Sequence, residues 1–380
     1  MKRMRIDRRA FTLALTTALL AGCAVIPKGP GRTGPSQVPD EAVLPDDDGR
    51  HRIALLVPLS GTNGDVGQSI ANATTMALLD TNANNLRITT YDTASGARNA
   101  ATKAISDGNR LILGPLLGEN TSDIVSMARS KRVPLISFSN DITTAARDVF
   151  LMGHIPGQSI GRTVDYAYGQ GSRRFAALVP NGEYGRQAEL ALSDAVLRKG
   201  AALMKVEKYD RGSTGIIEAA KRLNTSGGAF DTVLIADGAR LSALGAAQLN
   251  NKPRILGTEL WSGEASVAAS ASLNNALFSA VSDTRYKQFA TSYKSRFGSQ
   301  PYRISTLGYD AVLLTLKIAR DWKPGSSFPT RSLLDKGGFL GVDGPFRFIS
   351  SGVGERAMEV RQVRKGSVTV VSAAPARFQD

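Results

Sequence analysis

Residues 111–139, LILGPLLGENTSDIVSMARSKRVPLISFS, limit what this chain can fold into more than any other stretch. Leu111-Ile112-Leu113 is a short apolar run closed by Gly114-Pro115, the pattern of a strand buried on both faces. Asn120-Thr121 opens a helix whose Ile124, Val125, Met127 and Ala128 share one face. Arg129, Lys131 and Arg132 follow, where the negative end of the helix favours cations. Val133-Pro134-Leu135-Ile136 reads as a second strand and Ser137-Phe138-Ser139-Asn140-Asp141 as the loop after it. A parallel strand–helix–strand unit of this kind needs further strands beside it and helices over its faces. It presents ligands at the carboxyl ends of its strands.

The same alternation runs through the chain. Strands are expected at 52–58, 86–91, 111–113, 133–136, 149–152, 174–179, 202–208, 232–236, 254–256 and 277–281. Helices fall between most of them, at 67–80, 98–106, 160–168, 187–199 and 216–223. The expected class is therefore α/β with parallel sheets. Two helices, 285–297 and 304–322, follow without a strand between them. The end is β only, at 345–349, 359–365 and 368–372, with Gly366 as a hairpin turn. Residues 51–380 exceed the size at which one hydrophobic core stops growing, so two lobes are expected, each a parallel-sheet Rossmann-like layer with helices on both faces.

The first 50 residues do not share this pattern. Lys2, Arg3, Arg5, Arg8 and Arg9 precede an apolar run from residue 10 to 21, the length of a signal-peptide core and too short to span a bilayer. Leu20-Ala21-Gly22-Cys23 resembles a bacterial lipobox, and Cys23 is the one cysteine of the chain. Lipidation of Cys23 and removal of residues 1–22 are expected. Asp7-Arg8-Arg9-Ala10-Phe11 also fits either a twin-arginine signal or an ordinary basic region. Cleavage would remove five basic residues and one acidic, taking the net charge from +14 to +10. Residues 23–50, rich in Pro and Gly and then acidic at Asp46-Asp47-Asp48, read as a lipidated N-terminus and disordered tether. Ala24 after the Cys resembles an outer-membrane sorting signal rather than an inner-membrane one. After the signal no run of 18 apolar residues occurs.

The order of elements resembles type I periplasmic binding proteins, the group of the branched-chain amino-acid receptors. The motifs that carry this are Ile53-Ala54-Leu55-Leu56-Val57-Pro58-Leu59-Ser60-Gly61, Asn181-Gly182-Glu183-Tyr184-Gly185, Gly308-Tyr309-Asp310-Ala311 and Phe339-Leu340-Gly341-Val342-Asp343-Gly344-Pro345. The resemblance implies three crossings between lobes, near 153–156, 281–284 and 337–340. Lobe 1 is then 51–153 plus 282–338, lobe 2 is 154–281 plus 339–372, and 373–380 is a tail. Gly114-Pro115-Leu116-Leu117-Gly118-Glu119-Asn120, together with the lipobox, is further similar to penicillin-binding protein activator lipoproteins.

Catalysis finds little support. The two histidines, His51 at the end of the tether and His154 at an expected crossing, are isolated from any nucleophile. No Gly-x-Ser-x-Gly elbow, HExxH or P-loop sequence occurs, and one cysteine excludes a Cys-cluster metal site. Neither cofactor nor metal is expected. Lys and Arg are spread over helix faces and aromatics are 6% of the chain, so nucleic acid is not an expected partner. The positive total instead suits anionic headgroups or an acidic partner.

In receptors of this fold, lobe 1 holds a ligand carboxylate with hydroxyls and backbone N–H groups, and lobe 2 holds the ammonium with an acid. Matching the loops implies a cleft made of Ser60, Leu116, Leu117, Gly118, Ser137, Ser139, Asn140 and Asp141 on lobe 1, and Tyr184, Asp237 and Glu259 on lobe 2. Gly118 stands where a receptor has its first hydroxyl. Asp141 would bring a negative charge against a carboxylate. Glu259 matches the ammonium partner and Tyr184 the cleft aromatic, while Asp237-Gly238-Ala239 lacks a second aromatic. The plainer alternatives are an N-cap for Asp141, a surface ring for Tyr184 and an exposed loop acid for Glu259. The resemblance implies a lipid-anchored, periplasm-facing protein that regulates a cell-wall (peptidoglycan) synthase, a penicillin-binding protein, by contact. The alternative is a receptor for an amino acid or small amide feeding an ABC transporter.

Overall fold

The computed structural model describes residues 49–225, 229–375 and 378. The expected signal peptide, Cys23 and the tether up to residue 48 lie outside the described residues. Strands β1 (His51–Val57), β2 (Leu86–Asp92), β3 (Leu111–Leu113), β4 (Leu135–Ser137) and β5 (Val149–Leu151) form a parallel sheet in the order β2-β1-β3-β4-β5. Strands β6 (Arg174–Pro180), β7 (Ala202–Tyr209), β8 (Thr232–Ile235), β9 (Arg254–Leu256) and β10 (Leu277–Ala280) form a second parallel set. It is completed by antiparallel β14 (Glu359–Arg364) and β15 (Ser367–Ser372), giving the order β15-β14-β10-β9-β8-β6-β7.

Both parallel sheets are buried on two faces, and the period of two in each strand sorts side chains into separate cores. Ile53, Leu55 and Val57 of β1 join Leu111, Leu113, Ile136 and Phe150 in one core, under α1 (Gly64–Asp80) and α10 (Thr306–Ala319). Ala54 and Leu56 join Ile112, Leu135 and Val149 in the other, under α2 (Ala97–Ser106) and α3 (Gly118–Ser130). The second sheet repeats the scheme. Phe175, Ala177 and Val179 face α4 (Pro156–Gly169) and α5 (Glu183–Arg198). Ala176, Leu178, Val233 and Ile235 face α6 (Ser213–Thr225), α7 (Ala239–Ala246) and α8 (Ala265–Ala269). α9 (Thr284–Phe297) packs Phe289 and Tyr293 on Ala73 and Met76 of α1. The result is a two-lobed α/β fold, each lobe a parallel sheet between helices.

His51 opens β1 with its ring stacked on Trp322, centroids 4.1 Å apart. Burial lowers its pKa, favouring the neutral ring.

The chain leaves lobe 1 between β5 and α4 and returns between β10 and α9. The third crossing differs from expectation. Residues 339–356 do not belong to lobe 2. They form an antiparallel sheet of β11 (Phe339–Gly341), β12 (Gly344–Phe348) and β13 (Gly354–Arg356). Phe346 and Phe348 point to one face of β12 and, with Phe339, enter the lobe 1 core beside Phe150 and Leu314. The Phe150 and Phe348 rings meet edge to face at 5.4 Å, and Leu151 N–H donates to the Gly352 carbonyl at 2.8 Å. Three aromatic side chains need an apolar partner, and lobe 1 supplies it. The last crossing is therefore Ala357-Met358, immediately before β14.

A buried ionic cluster sits among the crossings. Asp343, fully buried, accepts from Arg303 Nη1 at 2.5 Å and from the Thr306 hydroxyl at 2.9 Å, and lies 2.8 Å from His154 Nε2. Arg356 Nη1 is 3.9 Å away, and Arg356 Nη2 donates to the Met152 carbonyl at 2.8 Å. Burial alone would raise the Asp343 carboxyl, but Arg303, the His154 hydrogen bond and Arg356 together hold it well below the usual range. Neighbouring Asp310 is pushed up to about 7, first by burial and then by the Asp343 charge. Burial also lowers His154, outweighing Asp343.

Candidate functional site

Parallel strands put their following loops at one edge of each sheet, and these edges of the two lobes come together where Gln187 reaches Asp141. Lobe 1 contributes the loops after β1, β3 and β4. Leu116 is buried, Leu117 half-buried, and Gly118 begins α3. A Cβ on Gly118 would lie 2.8 Å from Asp141 Cβ and 2.9 Å from Asp141 Oδ2, so Asp141 packs directly over this glycine. The Ser139 hydroxyl, 3.2 Å from the same point, accepts from Asp141 N–H at 3.0 Å. Asp141 also caps the turn Ile142–Thr144, accepting from Thr143 N–H at 3.0 Å and from the Thr143 hydroxyl at 2.7 Å.

Three of the expected lobe 1 residues are placed differently from this group. Ser137 is fully buried, its hydroxyl shared among the Pro115 carbonyl, the Ser139 N–H and Thr121. Its hydrogen bonds are all internal, so it braces the loops. Ser60 and Asn140 are exposed, and Ser60 precedes the turn Gly61–Asn63 without capping it.

Lobe 2 contributes a tighter cluster. Tyr184, in the first turn of α5, donates its hydroxyl to Glu259 Oε1 at 3.0 Å and lies 2.8 Å from the Thr258 hydroxyl. It is thus not a surface ring, nor is Glu259 an exposed loop acid. Glu259 Oε2 is buried with no hydrogen-bond partner in the structure. Burial pushes the Glu259 carboxyl up to about 7, and Tyr184 rises well above its ordinary value, by burial and then by the Glu259 charge. Asp237, behind them, accepts from the Tyr209 hydroxyl at 2.8 Å, from Arg211 Nε at 3.2 Å and from Gly238 N–H at 2.9 Å. The Arg211 guanidinium stands 5.8 Å from the Tyr184 ring centre.

One residue the motifs did not single out joins the two sides. Gln187 Nε2 donates to Asp141 Oδ1 at 3.3 Å and to Glu183 Oε1 at 2.9 Å. Its signal was available in the sequence, because residues three apart on a helix share a face and Tyr184 is three residues earlier. Arg211 carried no such signal, since only the fold brings the loop after β7 to the cleft. Among the described residues no cluster of three or more His, Cys, Asp or Glu could hold a metal ion, and no helix is long and apolar enough to cross a membrane.

Comparison with known proteins agrees with this architecture. An ABC transporter substrate-binding protein from Sphaerobacter thermophilus superposes with a TM-score of 0.72 at 18% identity, covering 87% of this chain and 98% of that one. The branched-chain amino acid transporter substrate-binding protein LivJ of Streptococcus pneumoniae, solved with isoleucine, gives 0.65 at 18%, covering 86% and 100%. A solute-binding protein of an ABC transporter from Rhodopseudomonas palustris, solved with 3,4-dihydroxybenzoic acid, gives 0.67 at 16%, covering 86% and 96%. At these identities the likeness is one of fold. An uncharacterized protein of Rickettsia prowazekii (strain Madrid E) is 28% identical over 177 residues, 46% of this chain and 47% of that protein. The match thus spans about half the length of that curated relative. The periplasmic binding protein family model matches residues 51–367, from the first strand to the start of the last, and the chain belongs to that family.

Proposed function

We propose that this protein is a lipid-anchored, periplasm-facing binding-type domain that regulates a cell-wall (peptidoglycan) synthase by direct contact. The observation that carries this reading is Asp141. It fills the space over Gly118, where an amino-acid receptor would hold its ligand's carboxylate, and it is tied to Gln187 of the other lobe. A carboxylate in that position repels the commonest ligands of the fold, and a hydrogen bond already spans the cleft. A binding-protein fold can keep its shape for protein contact after its site has changed, because fold does not fix function. A lipid on Cys23 would hold such a domain beside the membrane where wall synthases work.

A second reading has its own observation. Glu259 Oε2 is buried and unpartnered beside Tyr184, which suits an ammonium or amide donor from a small ligand. That favours a receptor for an amine or small amide serving an ABC transporter. Cross-linking the intact lipoprotein in membranes, followed by pull-down, separates the two. Recovery of a transpeptidase supports the first reading. Recovery of a permease, without a transpeptidase, overturns it in favour of the second.

A further inference from the structure

The edge of lobe 1 opposite the cleft is a row of cations. All five strands of this sheet start there, and the register sets the order of their first residues. Arg52 of β1 is paired with Arg87 of β2. Arg110, immediately before β3, donates its backbone N–H to the Arg52 carbonyl. Ile112 N–H donates to the Pro134 carbonyl and Leu135 N–H to the Asp148 carbonyl, which sets Lys131 and Arg132 and then Arg147 next in line. The row crosses four interstrand steps, about 19 Å at roughly 4.8 Å each.

Arg110, Lys131, Arg132 and Arg147 are exposed. Two acids of the same edge, Asp148 and Asp107, are already held. Asp148 takes Arg129 through two bonds of 2.6 and 2.7 Å, and Asp107 takes the Tyr91 hydroxyl at 2.8 Å and Lys103 at 3.5 Å. Next to β1, Arg320 and Lys323 are exposed on either side of the buried Trp322, with Asp321 between them. Leu79, 66% exposed in the last turn of α1, ends the helix that leads into β2.

The covalent chain supplies the second observation. β1 starts at this edge, so the 48 residues before the described part join the domain here, next to the cations. We infer that the amino-terminal edge of the lobe 1 sheet rests on an anionic phospholipid surface. The inference rests in part on the proposed lipidation of Cys23, which lies 28 residues before His51 in the sequence. A row of cations along one edge with an exposed leucine beside it suits phosphate headgroups better than the shaped pocket an acidic protein segment needs. In this orientation the cleft, at the other edge of the sheet, faces away from the bilayer. The inference stands apart from what the cleft or the synthase contact proves to be.

Hydrogen–deuterium exchange of the full chain on vesicles tests it. The probes are phosphatidylcholine vesicles and vesicles with about a third phosphatidylglycerol. Peptides covering 107–112, 130–134 and 146–149 should exchange at least several-fold more slowly on the anionic vesicles, and the slowing should vanish at high salt. The triple variant Arg110→Glu, Arg132→Glu, Arg147→Glu should abolish it. Arg110→Gln, Arg132→Gln, Arg147→Gln should weaken it in a fold that the milder change preserves. Equal exchange on both vesicles overturns the inference, as does slowing that both triple variants retain. Slowing by soluble polyglutamate but not by phosphatidylglycerol replaces the lipid with an acidic protein partner.

Discussion

Gln187 Nε2 reaches Asp141 Oδ1 at 3.3 Å, so a helix of lobe 2 holds the acid that closes the lobe 1 side of the cleft. Asp141 is bonded at the same time to Thr143, its own turn. Its carboxylate is therefore fixed in place by both lobes.

If the proposed loop matching holds, a free amino acid in this cleft would meet Glu259 at its ammonium and Asp141 at its carboxylate. Two unit charges ~4 Å apart interact by about 4 kcal/mol at an effective dielectric near 20, which would cancel about half of the roughly 8 kcal/mol of a micromolar complex. Neutral amino acids should bind weakly or not at all by calorimetry. Asp141→Thr should raise leucine affinity at least tenfold, since it removes the charge and keeps a hydroxyl for the turn. Tight leucine binding by the unaltered protein, unimproved by Asp141→Thr, would show that Asp141 does not face the ligand.

Restoring a hydroxyl at Gly118, beneath Asp141, should fail on its own. A Cβ at Gly118 comes within 2.8 Å of Asp141 Cβ and 2.9 Å of Asp141 Oδ2, so the Asp141 side chain must shift. Gly118→Ser should cost about 1–3 kcal/mol in urea unfolding, as overpacked sites do. Adding Asp141→Ala should recover most of that loss, a non-additivity expected only of residues in contact.

Glu259 sets a pH dependence. Its folded pKa, about 7, lies above its unfolded value near 4.5, so the folded state holds the extra proton between the two. Stability from this group is present at acid pH and is lost as pH rises through about 7. Between about pH 5.5 and about pH 8 the protein should lose about 2 kcal/mol more than Glu259→Gln does. Thermal melts of both proteins at the two pH values measure it. An identical pH slope in the variant would show that the carboxyl is already ionised in the folded state.

The ionic cluster makes an opposed pair of predictions. Asp343→Asn removes the counter-ion that Arg303 and the buried Arg356 share, leaving Arg303 only Asp283 at 3.8 Å, and should cost about 3–5 kcal/mol at neutral pH. Asp310→Asn removes a carboxyl that burial and Asp343 already push up to about 7, so its cost should be much smaller. Urea midpoints of the two variants give the comparison. Equal losses would mean that Asp310 is as firmly ionised as Asp343.

Much of this fold was legible because the inner parallel strands are short apolar runs, whereas the edge strands β2 and β7 mix polar residues in. Leu111–Leu113 and Arg254–Leu256 are three residues long and fall where the runs predict. The position of residues 339–356 was not legible. Nothing local in Phe339, Phe346 and Phe348 says which of two apolar cores will take them, and the resemblance assigned the crossing before them instead of after. The same holds for the site. Tyr184 and Glu259 were reached by matching loops, but their mutual hydrogen bond and the unpartnered Oε2 depend on how α5 and the turn Glu259–Trp261 pack. The Asp343 cluster joins four stretches of chain, and no local pattern marks it.

The late return of the chain to lobe 1 has a consequence for biosynthesis. Its core needs Phe339, Phe346 and Phe348, while the lobe 2 sheet needs β14 and β15, which follow them. Neither lobe exists as a contiguous fragment. A chain growing from its amino end cannot finish its first lobe until all five parallel strands of the second have been made. The two lobes must therefore mature almost together, once residues 339–372 have been made.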